Sequence, residues 1–312
     1  MLDLKIQIGK VTFKNPVWVA SGTFGYGEDY ADFLDLSEVG AIVTKTVTLQ
    51  PRDGNPPPRI VETSSGLLNS IGLENKGLEH FKKEHYPFLK KLGTRIMVSV
   101  AGITEQEFLD CSEKLMDGCS PDAVELNLSC PNVAHKEASC WLFSQDAKAT
   151  ERIVSGVKKK IKCTLVVKLT PNVTDITEIA RAAEAGGADA VSLVNTYAGM
   201  AVDAQTMEPS LGNVIGGLSG PAIKPLALKA VWEVYGSIRI PVIGIGGIMT
   251  GTDVAEFMLC GARAVQVGTA NFVTPDAYAK ILQEFKEYLK EKKISKAGDL
   301  VGKIKVKRQN GS

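Results

Sequence analysis

The residues whose types and spacing could do chemistry gather in one decamer, AVELNLSCPN, positions 123 to 132. Ala123, Val124, Leu126 and Leu128 read as a buried strand, and Pro131 cannot continue a hydrogen-bonded ladder, so a Ser-Cys-Pro-Asn turn should end it. A thiol, Cys130, and two amides, Asn127 and Asn132, then collect at one strand end, which in a parallel α/β protein is where ligands bind. The plain alternative is a core strand carrying an inert buried cysteine. Lys45 and Lys168 each sit in an otherwise apolar stretch. A buried ammonium is costly without an anionic partner. Each is therefore either drawn to the surface along its stem or faces an anion such as a substrate carboxylate or a reduced cofactor. Asn69, Asn127, Asn132 and Asn195, with Thr196, form a third set. Amides both donate and accept, which suits a planar ring carrying amide groups, although any one of them reads equally well as a turn or cap residue.

The elements that must position these groups follow from hydrophobic patterning. Short Val- and Ile-rich runs recur at 17–22, 41–47, 95–102, 123–130, 164–170, 190–196, 241–247 and 264–270, as expected of strands buried on both faces. Helical spacing is expected over 77–92, 104–118, 145–161, 174–185, 221–235, 250–259 and 274–294, with cap residues at Thr104 and Thr174. Eight strands alternating with helices predict a (β/α)8 TIM barrel, a single domain over 1–312, and not an open doubly wound sheet. Residues 1–16 read as an N-terminal hairpin and 295–312 as a C-terminal tail, whose basic end 301–312 is expected to fray. The stretches 48–77 and 197–220 are longer than a barrel connection needs, so they are expected as insertions at the C-terminal face. Gly-rich turns in GIGGIMTGTD and VGTANFVTPD follow the last two strands, where barrels commonly hold a phosphate, and GGLSGPAIKP could add donors. Tight turns alone are the other reading of those glycines.

The chain has 312 residues, 44% hydrophobic and 23% charged, with 36 basic and 35 acidic side chains for a formal charge of +1. That balance argues against nucleic-acid or membrane-surface binding driven by bulk charge. No apolar run approaches the roughly 18 residues of a membrane span, and the N-terminus lacks signal-peptide order, so a cytoplasmic protein is expected. Six scattered cysteines without a C-x-x-C pair and three histidines predict free thiols and no metal site. His80 and His85 fall in a charged stretch and are expected to be solvated, while His135 is an outside candidate for chemistry.

The segments SGTFGYGEDY, TKTVTLQPRDGNPPPR, NSIGLENKG, ELNLSCPN, VKLTPNVTDI, NTYAGMAVD, GGLSGPAIKP, GIGGI and VGTANF resemble, in order and across nearly the whole chain, the dihydroorotate dehydrogenases. These are FMN-dependent barrels that oxidise dihydroorotate to orotate in pyrimidine synthesis. Cysteine at position 130 and the absence of a membrane-binding extension resemble class 1. The wording of GTFGYGEDYADF and GGLSGPAIKPLALK is similar to the B-type catalytic subunit. That resemblance implies one FMN per chain, a homodimer of this chain, and a partner subunit carrying FAD and a 2Fe-2S cluster that passes electrons to NAD in a heterotetramer of two chains of each kind.

Carried over by position, the resemblance implies that Ser21, Lys45, Thr46, Asn127, Lys168, Val194, Gly220, Gly246, Gly247, Gly268 and Thr269 contact FMN. Ser99, where the family usually has Asn, would reach the flavin directly or through water. Lys45, Asn69, Ser70, Ile71, Gly72, Leu73, Asn127, Asn132, Asn195 and Thr196 would hold the pyrimidine, and Cys130 would be the base. The segment 133–146 departs from the family's V-x-x-G-G-x-x-F-G-x-D, and its Cys140 and Trp141 have no family role. Three rivals remain: a dihydropyrimidine dehydrogenase-type flavoprotein subunit, a colourless phospho-sugar lyase or isomerase barrel, and a non-catalytic flavin-binding relative with an altered lid.

Overall fold

The computed structural model describes residues 2–128, 143 and 145–306. A hairpin of β1 (Ile6–Ile8) and β2 (Val11–Phe13) comes first. The chain runs through β3 (Val17–Val19) and β4 (Ala41–Val43), then leaves to form β5 (Ile60–Thr63) and β6 (Gly66–Asn69). It returns as β7 (Arg95–Val100), β8 (Ala123–Asn127), β9 (Thr164–Lys168) and β10 (Ala190–Leu193). A second excursion makes β11 (Tyr197–Met200), β12 (Val202–Asp203), β13 (Glu208–Pro209) and β14 (Ile215–Ser219), and β15 (Val242–Ile245) and β16 (Ala262–Val267) complete the set. Strands β3, β4, β7, β8, β9, β10, β15 and β16 pair in parallel in that order, and β16 returns to β3 to close the barrel. The expected (β/α)8 architecture is the one observed.

Pleating sends alternate side chains to opposite faces. Val124 and Leu126 of β8, Leu165 and Val167 of β9, and Val265 and Val267 of β16 point outward into the helical layer. Their neighbours Ala123, Val166 and Ala264 point inward with Trp18, Val43, Met97 and Ile243. The N-terminal hairpin adds Ile6, Ile8 and Phe13 to that inner cluster and stoppers the barrel at its N-terminal end, with the Phe13 and Trp18 rings 4.3 Å between centroids. The bottom of the barrel is thus filled with hydrocarbon, and chemistry is left to the other end.

The helices begin where the chain supplies caps. Thr104 accepts from the Glu107 amide at the head of the Glu105–Met116 helix, and Asp146 accepts from Lys148 and Ala149 at the head of Ala147–Lys160. The cap expected at Thr174 lies one residue on, at Asp175, whose carboxylate accepts from the Thr177 amide. The helix expected over 77–92 is three segments, Leu78–His80, Phe81–His85 and Tyr86–Leu89, the middle one a widened π turn. Pro87 has no N–H to return to the preceding turn, which is the local cause. His85 on that turn is half-buried and not solvated: its ring stacks on Tyr26 at 4.0 Å, and Nδ1 lies 3.2 Å from both carboxylate oxygens of Glu28.

Two further expectations change. The run 41–47 ends as a strand at Val43, because the Lys45 amide turns aside to the Gly25 carbonyl. Residues 301–304 are not frayed: the Gly302 and Ile304 amides donate to the Met258 and Leu259 carbonyls, following a docked stretch in which Lys296 bridges to Asp3 and Ala297 and Leu300 are buried. The two excursions of the chain meet as a four-stranded antiparallel sheet ordered β11, β14, β6, β5. Gly217 is required there, since a Cβ would collide with the Thr196 side chain.

Because Trp18 fills the stoppered end with no solvent exposure, Trp18→Ala is expected to cost about 3–5 kcal/mol of unfolding free energy, read by urea titration.

Candidate active site

A cavity of about 440 Å³ opens at the C-terminal mouth of the barrel, within the range of roughly 300–1,000 Å³ usual for ligand sites. Its floor is made by inward residues at strand ends. Asn127 ends β8 and Lys168 ends β9, side by side in register. Lys168 is 5% exposed, and among the described residues its ammonium has no ion-pair or hydrogen-bond partner. A buried cation presented to a cavity without its own counter-ion is an anion or electron-rich-ring site.

Next to it a hydroxyl hub organises the floor. Thr46 Oγ1 lies 3.2 Å from Ser21 Oγ and 2.9 Å from Ser99 Oγ, and it accepts from Asn127 Nδ2 at 3.2 Å. One hydroxyl thereby orients three neighbours. Ser99 is fully buried behind Thr46 and does not border the cavity, and its contact with the floor runs through the Thr46 hydroxyl.

The glycine turns form one wall. Gly220, Gly246 and Gly247 have φ of +92°, +124° and +76°, and a Cβ on Gly247 would press on Lys224 and on the Gly220 carbonyl. Asp253 holds this turn. Its Oδ2 accepts from the amides of Met249 and Thr250 at 2.8 Å, its Oδ1 binds Lys224 Nζ at 2.6 Å, and it completes a capping box with Thr250. Burial pushes the Asp253 carboxyl up, but Lys224 and the Met249 amide outweigh it and hold the group below the ordinary aspartate range. Hydrogen bonding to Asp253 holds the Lys224 ammonium above its own ordinary value. Gly268 and Thr269 continue the wall, with the Thr269 hydroxyl donating to Ser219 Oγ at 2.9 Å.

The opposite wall comes from the antiparallel sheet and its loops. Asn69, Ile71, Gly72 and Leu73 border the cavity, with Asn195 and Thr196 beside them. The Asn69 amide donates to the Gly217 carbonyl at 3.2 Å, and Asn195 Oδ1 accepts from the Thr196 amide at 2.9 Å. Asn172 steadies this wall by donating to the Thr196 carbonyl and accepting from the Ala198 amide. Ser70 is the exception. Alternation along an extended segment turns it away from the cavity, where it accepts from Asn55 Nδ2 at 2.8 Å and is fully buried.

Ser21, Lys45, Thr46, Asn127, Lys168, Val194, Gly220, Gly246, Gly247, Gly268 and Thr269 all border this one cavity, as do the remaining described members of the ring-binding set apart from Ser70. Cys130 and Asn132, and with them His135, Cys140 and Trp141, lie outside the described residues. Asp29, Tyr30, Ser219 and Phe272 also border it, and sequence reasoning assigned them nothing. The first two lie in GYGEDY, so the signal was present without a role attached. Burial, with Asp29 beside it, pushes the Tyr30 phenol above its ordinary value, and its O–H donates to the Thr23 carbonyl. Among the other cysteines, burial pushes the thiol of Cys111 up to about 12 and those of Cys119 and Cys163 to about 11, so none is a base near neutrality. Among the described residues no group of side chains could hold a metal ion.

Fold and cavity together define a (β/α)8 barrel with a polar-floored cavity at its C-terminal mouth. A family model described as dihydroorotate dehydrogenase matches residues 3–289, and the chain belongs to that family. It is 49% identical over 301 residues to a dihydroorotate dehydrogenase B (NAD(+)) catalytic subunit of Desulforamulus reducens, covering 96% of this chain and 98% of that one. Proteins of the same description from Geobacter sulfurreducens and Bacteroides fragilis are 48% identical over 304 residues and 47% over 306, covering 97% and 98% of this chain and 99% and 100% of theirs.

Since the folded Asp253 carboxyl titrates lower than in the unfolded chain, its contribution is present above the unfolded-state value and is lost as pH falls through the folded one. Asp253→Asn should therefore cost about 1–3 kcal/mol of stability at pH 7, with variant and parent converging in acid when urea unfolding is followed across pH.

Proposed function

We propose that this protein oxidises (S)-dihydroorotate to orotate in de novo pyrimidine synthesis, using one FMN per chain. The observation that carries the reading is the convergence, on one cavity, of a buried lysine with no ion-pair partner among the described residues, the glycine turns and an amide-lined wall. The residues fit FMN. The turns of Gly246, Gly247 and Gly268 border the cavity and would offer backbone to a phosphate, Thr46 and Asn127 would meet the ring system, and Lys168 would supply positive charge beside it. When bound, FMN supplies the acceptor for the hydride from C6.

The chain's own groups do the rest. Asn69, Asn127 and Asn195 offer donors and acceptors to the pyrimidine amides, and Lys45 a cation to the substrate carboxylate. Cys130, three residues beyond Asn127 in the sequence, is the base that takes the C5 proton. A free thiol titrates at about 8.5, so turnover should rise toward mildly alkaline pH. The relatives are named as NAD(+)-type catalytic subunits. By extension this chain forms a homodimer and joins two FAD- and 2Fe-2S-carrying subunits that hand electrons to NAD in the cytoplasm. Among the described residues no helix is long and apolar enough to cross a membrane.

Anaerobic titration of the purified yellow protein is the test. Dihydroorotate should bleach the flavin and dihydrouracil should not, with NAD restoring the colour only when the partner subunit is added. Bleaching by dihydrouracil would favour the dihydropyrimidine dehydrogenase-type reading. Bound flavin that neither substrate bleaches would favour the non-catalytic relative, and colourless protein the lyase or isomerase barrel. Cys130→Ala is expected to keep FMN and lose bleaching by about 10²-fold or more at pH 7, measured by stopped flow. Near-normal bleaching would remove Cys130 from the role of base.

A further inference from the structure

Beneath the cavity floor the barrel encloses a carboxylate that the reaction above does not use. Glu125 shares the inward face of β8 with Ala123 and Asn127 and is fully buried. Ser192 Oγ from β10 and Gln266 Nε2 from β16 reach it across the interior, and both donate to Oε2 at 2.9 Å. Among the described residues no donor reaches Oε1 of Glu125, and none reaches Oε1 of Gln266. The carboxylate is therefore shielded on one oxygen only.

Two charged side chains among the described residues face the interior, Glu125 and Lys168; the other buried charge, Asp253, belongs to the outer helix Gly251–Leu259 and is tied to Lys224. Glu125 and Lys168 stand one layer apart. Lys168 is level with Asn127 and Ser192, whereas Glu125 is level with Ser99 and Val166, and no ion pair joins the two. Inward residues in successive layers of a strand are about 6.6 Å apart. At that spacing in a buried interior each still lies within the other's field.

Resting on the FMN reading, we propose that Glu125 is a positioning residue acting through Lys168, a buried counter-charge that also lowers the flavin's reduction potential. It offsets the ammonium from below without occupying its N–H groups, which stay available to the cofactor. A bound FMN would take the two electrons of the C6 hydride, with the C5 proton going to the Cys130 thiolate, and would yield those electrons to the acceptor. A fixed anion beneath the cavity floor would oppose that gain of charge and make the reduced cofactor a stronger donor.

The test is the midpoint potential of the FMN holoenzyme by anaerobic spectroelectrochemistry. Glu125→Gln keeps the size of the side chain and an oxygen for both incoming hydrogen bonds. It should favour reduced over oxidised FMN about tenfold, the size expected of one charge roughly 10 Å away at an effective dielectric constant of about 20. Tenfold is about 30 mV upward for a two-electron couple. Lys168→Gln should move the potential down, and the double variant should fall between. A polar spacer with no electrostatic role would lower the thermal midpoint and leave the potential where it was, and an E125Q potential equal to that of the parent overturns the proposal. If E125Q does not fold, the step from K168Q to the double variant carries the same expected rise, and its absence is equally decisive. Failure of the FMN reading is distinct, because the parent protein would then hold no flavin or fail to bleach before any variant is made.

Discussion

Closing eight parallel strands into a cylinder forces every second side chain into a space that water does not share, and the rest of the structure depends on how that space is filled. The filling is graded along the axis. Ile6, Ile8, Phe13 and Trp18 make a hydrocarbon stopper at the N-terminal end. Further along the axis the interior turns polar, with Ser99, Glu125, Ser192 and Gln266 all fully buried and Glu125 accepting from the last two. Asn127 and Lys168 make the floor of the cavity. An apolar stopper lets the barrel close stably with its polar groups collected at one end, where a ligand can engage them.

That gradation explains why the floor can be both polar and rigid. A polar side chain inside a barrel must be hydrogen-bonded or it costs more than it contributes. The Thr46 hydroxyl engages Ser21, Ser99 and Asn127 at once, so the floor is held by a network whose members are individually short side chains. Short side chains have few rotamers to lose, and the network therefore orients Asn127 at little entropic cost. Lys168 differs because its charge is left for the ligand.

The walls are built by a different principle. The glycine turn stands where no side chain fits, and Asp253 fixes it by accepting from two consecutive amides while gripping Lys224. The facing wall exists because two excursions far apart in sequence pair as β6 and β14, bringing Asn69 to Gly217. Neither wall belongs to the barrel proper. Both stand on it, and this separates the stability of the scaffold from the specificity of the loops.

Much of this was legible in the amino-acid sequence. Continuous Val- and Ile-rich runs of strand length, separated by helically spaced segments, determine a parallel barrel, because only strands covered on both faces read that way. The glycine turns, Lys168 and the decamer around Asn127 were readable because strand ends in such a barrel must converge on one mouth. Only the tertiary structure decided the rest. Strand β6 pairs with β14 across some 150 residues of intervening chain, and no local pattern encodes that contact. Ser70 turns from the cavity because one step along an extended chain reverses a side chain, and Ser99, although it faces the interior, is covered by Thr46, so a motif names a neighbourhood and the packing selects its members. Residues 295–304 looked like a polar tail, yet two small apolar side chains and a few amide hydrogen bonds dock them. Glu125 stands in plain view in a buried strand, but the two donors that make its burial tolerable come from strands on other sides of the cylinder, which only closure brings together.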